Sequence, residues 1–225
     1  LFCGARAGEQ VIGADAAKFI TFEGGEGAGK STQIKRVSAY LCALGQAVLQ
    51  TREPGGSPGA EEIRKLLVEG ASDRWDAETE ALLHFAARRD HLVKTIAPAL
   101  KVGKWVLCDR FADSTIAYQG YGHGVDSLVL NSLSHILIGE FKPDLTFIFD
   151  LDLEIGLARA SARGEGEDRY ERMGRDFHER LRQGFLDIAL EDAERCCVID
   201  ASLPINQVAS IIRKLVSERL QVKFL

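Results

Sequence analysis

Five short apolar runs punctuate the chain: Phe19–Phe22, Ala47–Leu49, Trp105–Cys108, Leu145–Phe149 and Cys197–Ile199. Nearly unbroken runs of this kind suit strands covered on both faces, as in a parallel sheet. Segments with a helical period lie between them. Ile34, Val37, Leu41 and Leu44 form one stripe that ends at Gly45, a residue suited to closing a helix. Ala77–Leu100 reads as one long helix, interrupted only by Pro98 near its end. Leu128–Ile138 and Ile205–Leu220 also read as helices. The alternation predicts an α/β fold in three layers, a parallel five-stranded sheet flanked by helices with right-handed crossovers. No internal repeat, low-complexity tract or linker divides it, so residues 18–225 are expected to form a single domain. Residues 1–17 carry Arg6, Glu9 and Asp15 and lack the apolar centre of a secretion signal. They are expected to form a peripheral tail.

Composition narrows the possibilities. The 225 residues are 46% hydrophobic, enough for a full core, yet no stretch approaches the ~20 apolar residues of a membrane span. A net charge of −5 gives no global basic field, which argues against nucleic-acid or membrane partners. Any anion must therefore be held by a local cluster. The five cysteines are odd in number and lack CxxC spacing. They read as reduced thiols of a cytoplasmic protein, forming neither a disulfide frame nor a zinc site.

Such a cluster follows the first run. Gly24, Gly25, Glu26, Gly27, Ala28, Gly29, Lys30, Ser31 and Thr32 match the phosphate-binding pattern G-x-x-x-x-G-K-[ST] between a strand and an amphipathic helix. Glycines let consecutive backbone N–H groups converge on phosphate oxygens. The helix N-terminus adds partial positive charge, Lys30 a full one, and Ser31 a hydroxyl for Mg²⁺. An ATP site is expected, in a P-loop NTPase fold. The D-x-x-G and N-K-x-D strings of a GTPase switch are both absent. Asp109, at the end of the third run, should lie beside the loop, where a carboxylate can hold Mg²⁺ directly or through water. The planar fork of Arg110 suits a second, acceptor phosphate.

Four further segments accompany the loop: Thr51-Arg52-Glu53-Pro54-Gly55-Gly56, Phe85-Ala86-Ala87-Arg88, Asp109-Arg110-Phe111 with Asp113-Ser114-Thr115-Ile116-Ala117-Tyr118-Gln119-Gly120, and Pro143-Asp144-Leu145-Thr146. With them the chain resembles the bacterial thymidylate kinases from about Lys18 onward. The resemblance implies phosphorylation of dTMP to dTDP by ATP and Mg²⁺, by in-line transfer, in a homodimer built on helices such as the one from Ala77. It also implies roles on the acceptor side. Arg64 and Arg110 would bind the dTMP phosphate, Glu53 and Pro54 would shape the acceptor loop, and Arg88 would meet the thymine carbonyl edge. Thr115 and Gln119 would read the base from the other side. The family commonly stacks an aromatic ring on thymine four residues before the helix arginine. Here that position is His84, and Phe85, next to it, is the expected apolar platform. Two rivals remain: another nucleoside monophosphate kinase of the CMP or UMP type, and an ATP-dependent switch or binding module.

Some thymidylate kinases carry an arginine in the loop just after its acid, where this chain has Gly27. The resemblance then places the missing cation in a lid, at about residues 160–175, with Arg163 and Arg169 as candidates. Glu26 is expected to orient that lid arginine or to meet the 3′-hydroxyl of the acceptor, because an acid among phosphates needs a purpose. With Lys30 and Arg110 these residues make up the expected catalytic set.

Overall fold

The computed structural model describes residues 17–71, 73–162, 169–170 and 172–221. In chain order the elements are β1 (Phe19–Gly24), α1 (Lys30–Ala43), β2 (Val48–Arg52), α2 (Pro58–Val68), α3 (Ala77–His91), α4 (Ala97–Lys101), β3 (Trp105–Asp109), α5 (Ala112–Thr115), α6 (Ser127–Ile138), β4 (Leu145–Asp150), α7 (Leu153–Ser161), α8 (Arg175–Glu191), β5 (Cys196–Asp200) and α9 (Ile205–Leu220). Two π-helical turns, Leu92–Ile96 and Ile116–Gly122, continue α3 and α5. The five strands form one all-parallel sheet in the order β2-β3-β1-β4-β5.

Alternation along β1 divides its side chains between two cores. Ile20 and Phe22 pack with Leu107, Phe147 and Phe149 against Ile34, Val37 and Leu41 of α1 and Val208, Ile212 and Val216 of α9. On the opposite face Phe19 joins Val106 and Cys108 against Leu92, Ile96 and Ala99. Further along that face Ile148 and Cys196 meet Phe177, Leu181, Phe185 and Ile188 of α8. Each fully buried side chain of this size stabilises by roughly 2 kcal/mol. The same face carries polar β1 residues, Thr21 bonded to Thr146 (2.7 Å) and the buried Glu23.

The strand order reverses direction at β1, so crossovers leave it on both sides. The carboxyl ends of β1 and β3 therefore open onto a crevice, the place where doubly wound sheets hold ligands. Gly24 and Asp109 end these two strands.

Candidate active site

A cavity of about 680 Å³ occupies that crevice. Its walls come from the loop between β1 and α1, the segment after β2, the middle of α3, and the end of β3 with the turns that follow.

Glu26 to Thr32 line the donor end. Lys30 Nζ donates to the carbonyls of Gly24 (3.0 Å) and Gly25 (2.7 Å), so these two glycines position the lysine. Burial, and then the charge of Arg110, lower the Lys30 pKa to about 8. The Ser31 hydroxyl donates to Asp109 Oδ2 at 2.8 Å, bringing both expected metal ligands together. Gly27 lies at φ 70°, and a Cβ there would stand 2.1 Å from the Gly156 carbonyl oxygen of α7. A side chain at this position would require α7 to shift.

Arg110 lies between the donor and acceptor ends. Its backbone is left-handed (φ 69°), a strained conformation for a residue with a Cβ. That turn aims its guanidinium back at the loop, where Nη1 donates to the Gly24 carbonyl (2.9 Å) and Nη2 pairs with Glu26 Oε1 (2.5 Å). Tyr118 donates its hydroxyl to the same Glu26 oxygen (3.0 Å), and its ring lies 4.9 Å from the Arg110 guanidinium carbon. Glu26 therefore orients an arginine from the turn after β3, Arg110. Beneath it, Glu23 accepts from the Phe111 amide (2.7 Å) and the Ser114 hydroxyl (2.5 Å).

The acceptor end is built on α3. Arg88 is buried between the Phe85 and Phe111 rings, 5.3 and 5.4 Å from their centres. Its Nε donates to Glu53 Oε2 (2.8 Å) and its Nη2 to the Phe111 carbonyl (2.9 Å). Among the described residues its Nη1 has no hydrogen-bond partner. Glu53 is further held by His91 Nδ1 (2.9 Å). Arg64 Nη1 donates to the Pro54 carbonyl (2.7 Å), and both residues line the cavity. Thr115 and Gln119 line the opposite wall, and Thr115 Oγ1 and Gln119 Oε1 are likewise unpartnered.

Two expectations need correction. Phe85 is not a platform facing the cavity: it is packed with Ala81, Val125 and Leu130, while His84 lines the wall. Successive helical side chains point about 100° apart, so with Phe85 turned into the core it is His84 that faces the cavity. Burial, followed by the charges of Arg88 and Arg169, lowers the His84 pKa to about 3, so its ring is neutral. Arg169 does not reach the loop. It is buried against Glu80 Oε2 (2.5 Å) and donates to the carbonyls of Leu67 and Ala71 (3.1 Å each). Among the described residues, Glu26 pairs with Arg110 and Tyr118. Arg163, the other lid candidate, lies outside the described residues.

Tyr118, Ser114, Tyr170 and Glu80 were assigned no role from the sequence. The first two lie inside a quoted string, and Tyr118 is one residue before Gln119. Glu80 and Tyr170 gave no signal, because only the folded chain brings them together (Tyr170 hydroxyl to Glu80 Oε1, 2.9 Å).

The chain matches the thymidylate kinase family model over residues 22–212. It is 55% identical over 202 residues to a thymidylate kinase of Caulobacter vibrioides, covering 90% of this chain and 97% of that protein. It is 50% identical to one of Ruegeria pomeroyi, covering 90% and 95%. The crystal structure of thymidylate kinase from Ehrlichia chaffeensis superposes with a TM-score of 0.73 at 38% identity, covering 90% of this chain and 99% of that one.

Proposed function

The chain belongs to the thymidylate kinase family, and on that premise we propose how its residues move a phosphoryl group from ATP to dTMP, yielding dTDP. The amides of the Gly24–Gly29 loop and the N-terminus of α1 hold the donor phosphates. Lys30 exchanges its two loop carbonyls for phosphate oxygens. Arg110, aimed by Glu26 and Tyr118, neutralises charge between donor and acceptor, where the transferring group spreads it. Arg64 adds a cation on the acceptor side, and Glu53 holds Arg88 in place beside Pro54. No general base is required, because the acceptor phosphate is largely dianionic near neutral pH, its second pKa being about 6.

The observation that carries the base assignment is a pair of orphaned buried atoms. Arg88 Nη1 is a donor and Gln119 Oε1 an acceptor, both without partners among the described residues and both on residues lining one cavity. Thymine offers the complement, a carbonyl at C4 and an N3–H. Cytosine offers the reverse, an amine and a bare nitrogen. Unpaired buried groups make a mismatched base costly. The neutral His84 ring supplies the flanking surface.

Ser31 and Asp109 together offer the oxygen donors a hard cation prefers, and we assign Mg²⁺ to them. Among the described residues no cluster of three His, Cys, Asp or Glu could hold a metal alone. Mg²⁺ held by Ser31 and Asp109 would supply positive charge that offsets the charge of the donor phosphates. We further assign residues 18–225 to one domain, with residues 160–175 as its lid, and a homodimer as the working state. Among the described residues no helix is long and apolar enough to cross a membrane. Free thiols at Cys42, Cys108, Cys196 and Cys197 fit a reducing compartment such as the cytoplasm.

An ADP-coupled assay with dTMP, dUMP, dCMP, AMP and GMP tests the base assignment. We expect kcat/KM for dTMP to exceed that for dCMP by about a hundredfold or more, with all activity lost on chelation and restored by Mg²⁺. Equal rates on dTMP and dCMP would overturn the assignment. ATP hydrolysis indifferent to every acceptor would instead favour a nucleotide-driven switch.

A further inference from the structure

We propose that Glu80 is a positioning residue that sets which end of the Gln119 amide faces the base, and so the choice of thymine over cytosine. The inference rests on the reading that Gln119 and Arg88 recognise the base. An amide side chain can be turned either way, presenting an oxygen or an NH₂. Something must decide, and in this cavity it is a carboxylate behind the amide. Glu80 lies on the first turns of α3, 1% exposed, and Gln119 Nε2 donates to its Oε1 at 2.8 Å. The same oxygen accepts from the Tyr170 hydroxyl (2.9 Å), and Oε2 faces Arg169 Nη1 (2.5 Å).

A carboxylate paired with a guanidinium offers only acceptors. It therefore takes the NH₂ of Gln119 and leaves Oε1 as the free end. With the NH₂ turned outward instead, two oxygens would face each other in a buried site, at the cost of a lost hydrogen bond and a repulsion. Arg169, which the sequence suggested as a cation for the transferring phosphate, instead anchors the carboxylate that fixes this polarity.

Replacing Glu80 by glutamine inverts the logic with little change of volume. Arg169 retains the oxygen of the new amide, because it can only donate. The new NH₂ then takes the place of Oε1 and points at Gln119, which turns its own oxygen inward and shows NH₂ to the base. That end suits the bare N3 of cytosine and opposes the N3–H of thymine. Uracil has the same edge as thymine and serves as the control.

The test measures kcat/KM for dTMP, dUMP and dCMP in the wild-type enzyme, Glu80→Gln and Gln119→Leu. Ratios between substrates do not depend on the fraction of folded protein. We expect Glu80→Gln to lower the dTMP/dCMP ratio by roughly tenfold or more, with dTMP/dUMP kept within about twofold. An unchanged dTMP/dCMP ratio overturns the proposal. So does a gain shared equally by dUMP and dCMP, because that reports a loosened cavity. If Glu80→Gln does not accumulate as folded protein, Glu80→Gln/Arg169→Gln, which leaves no buried charge unbalanced and lets the amide at 80 turn either way, should still lower the dTMP/dCMP ratio because the polarity of Gln119 is no longer fixed, and an unchanged ratio there also overturns the proposal. Gln119→Leu separates the two levels. If it leaves the ratio intact, the reading of Gln119 as a base contact fails; if it collapses the ratio while the Glu80 variants do not, only the present inference fails.

Discussion

Glu23 occupies the inner end of β1 with no solvent contact, bonded to the Phe111 amide and the Ser114 hydroxyl. Those two bonds pin the chain on the far side of Arg110, whose left-handed backbone would otherwise relax. Burial, and then the nearby Asp113 carboxylate, push the Glu23 pKa from 4.5 up to about 7. The folded state thus favours the protonated acid more than the unfolded chain does. Its contribution to stability is full below about pH 4.5 and is lost as pH rises through about 7. Between pH 5 and pH 8 the wild-type protein should therefore lose on the order of 1–3 kcal/mol that Glu23→Gln does not lose. Urea unfolding of both at the two pH values measures it, and parallel pH dependences would refute it. Glu26 raises a different expectation. Because it aims Arg110, Glu26→Gln should lower kcat by about tenfold or more while the ATP dissociation constant moves less than about threefold. A variant that loses ATP affinity and keeps its turnover would contradict this. That Glu26 needed a cationic partner was legible from an acid amid phosphate-binding glycines. The identity of the partner was not, because it depends on the positive φ of Arg110, which no pattern of residue types reveals.

At the scale of elements, the loop and α7 are locked together. Gly27 and Gly156 touch backbone to backbone, and a Cβ on Gly156 would stand 2.9 Å from the Glu26 carbonyl oxygen. Gly27→Ala should therefore do more than tighten a turn. It requires a left-handed alanine and a shift of α7, together costing about 2 kcal/mol or more. Denaturant unfolding, with ATP binding alongside, checks this; an unchanged midpoint would show that α7 yields freely. Elements with a clear period were readable. Ile205–Leu220 is the observed α9, and the second predicted strand misses the observed one mainly at its end. That strand, β2, lies at the sheet edge and continues through Gln50, Thr51 and Arg52, so its apolar run stops before its pairing does. The long helix from Ala77 is broken in its pairing rather than its direction. At Leu92–Ile96 it widens, with the Ala97 amide donating to the Leu92 carbonyl, just ahead of Pro98, which has no N–H to give.

On the scale of the whole molecule, the strand order puts the functional cavity at one edge of the sheet and leaves a surface unaccounted for on α6. Seven of its twelve residues are apolar, yet Leu130 is the buried one; Leu128 and Ile136 are 73% and 74% exposed. The alternation of strands and helices made the sheet legible, but an apolar helix reads the same whether its own chain or another covers it. The dimer was expected from the spare apolar positions of the α3 helix. Exposed Leu82 and Val93 on that helix and its π-helical turn, with α6 packed alongside α3, extend this to a two-helix surface. Large apolar side chains exposed on two packed helices are the kind of surface that interaction sites use. Sedimentation at micromolar concentration should then give twice the 24.7 kDa mass of one chain. Leu128→Asp/Ile136→Asp, which buries two charges only if the dimer forms, should shift the population to monomer by at least about a hundredfold in dissociation constant. Because these side chains are solvent-exposed within one chain, the thermal stability of the monomeric fold should change little. A wild-type protein that sediments as a monomer, or a double variant that unfolds rather than dissociates, would mean that α6 serves the fold of its own chain.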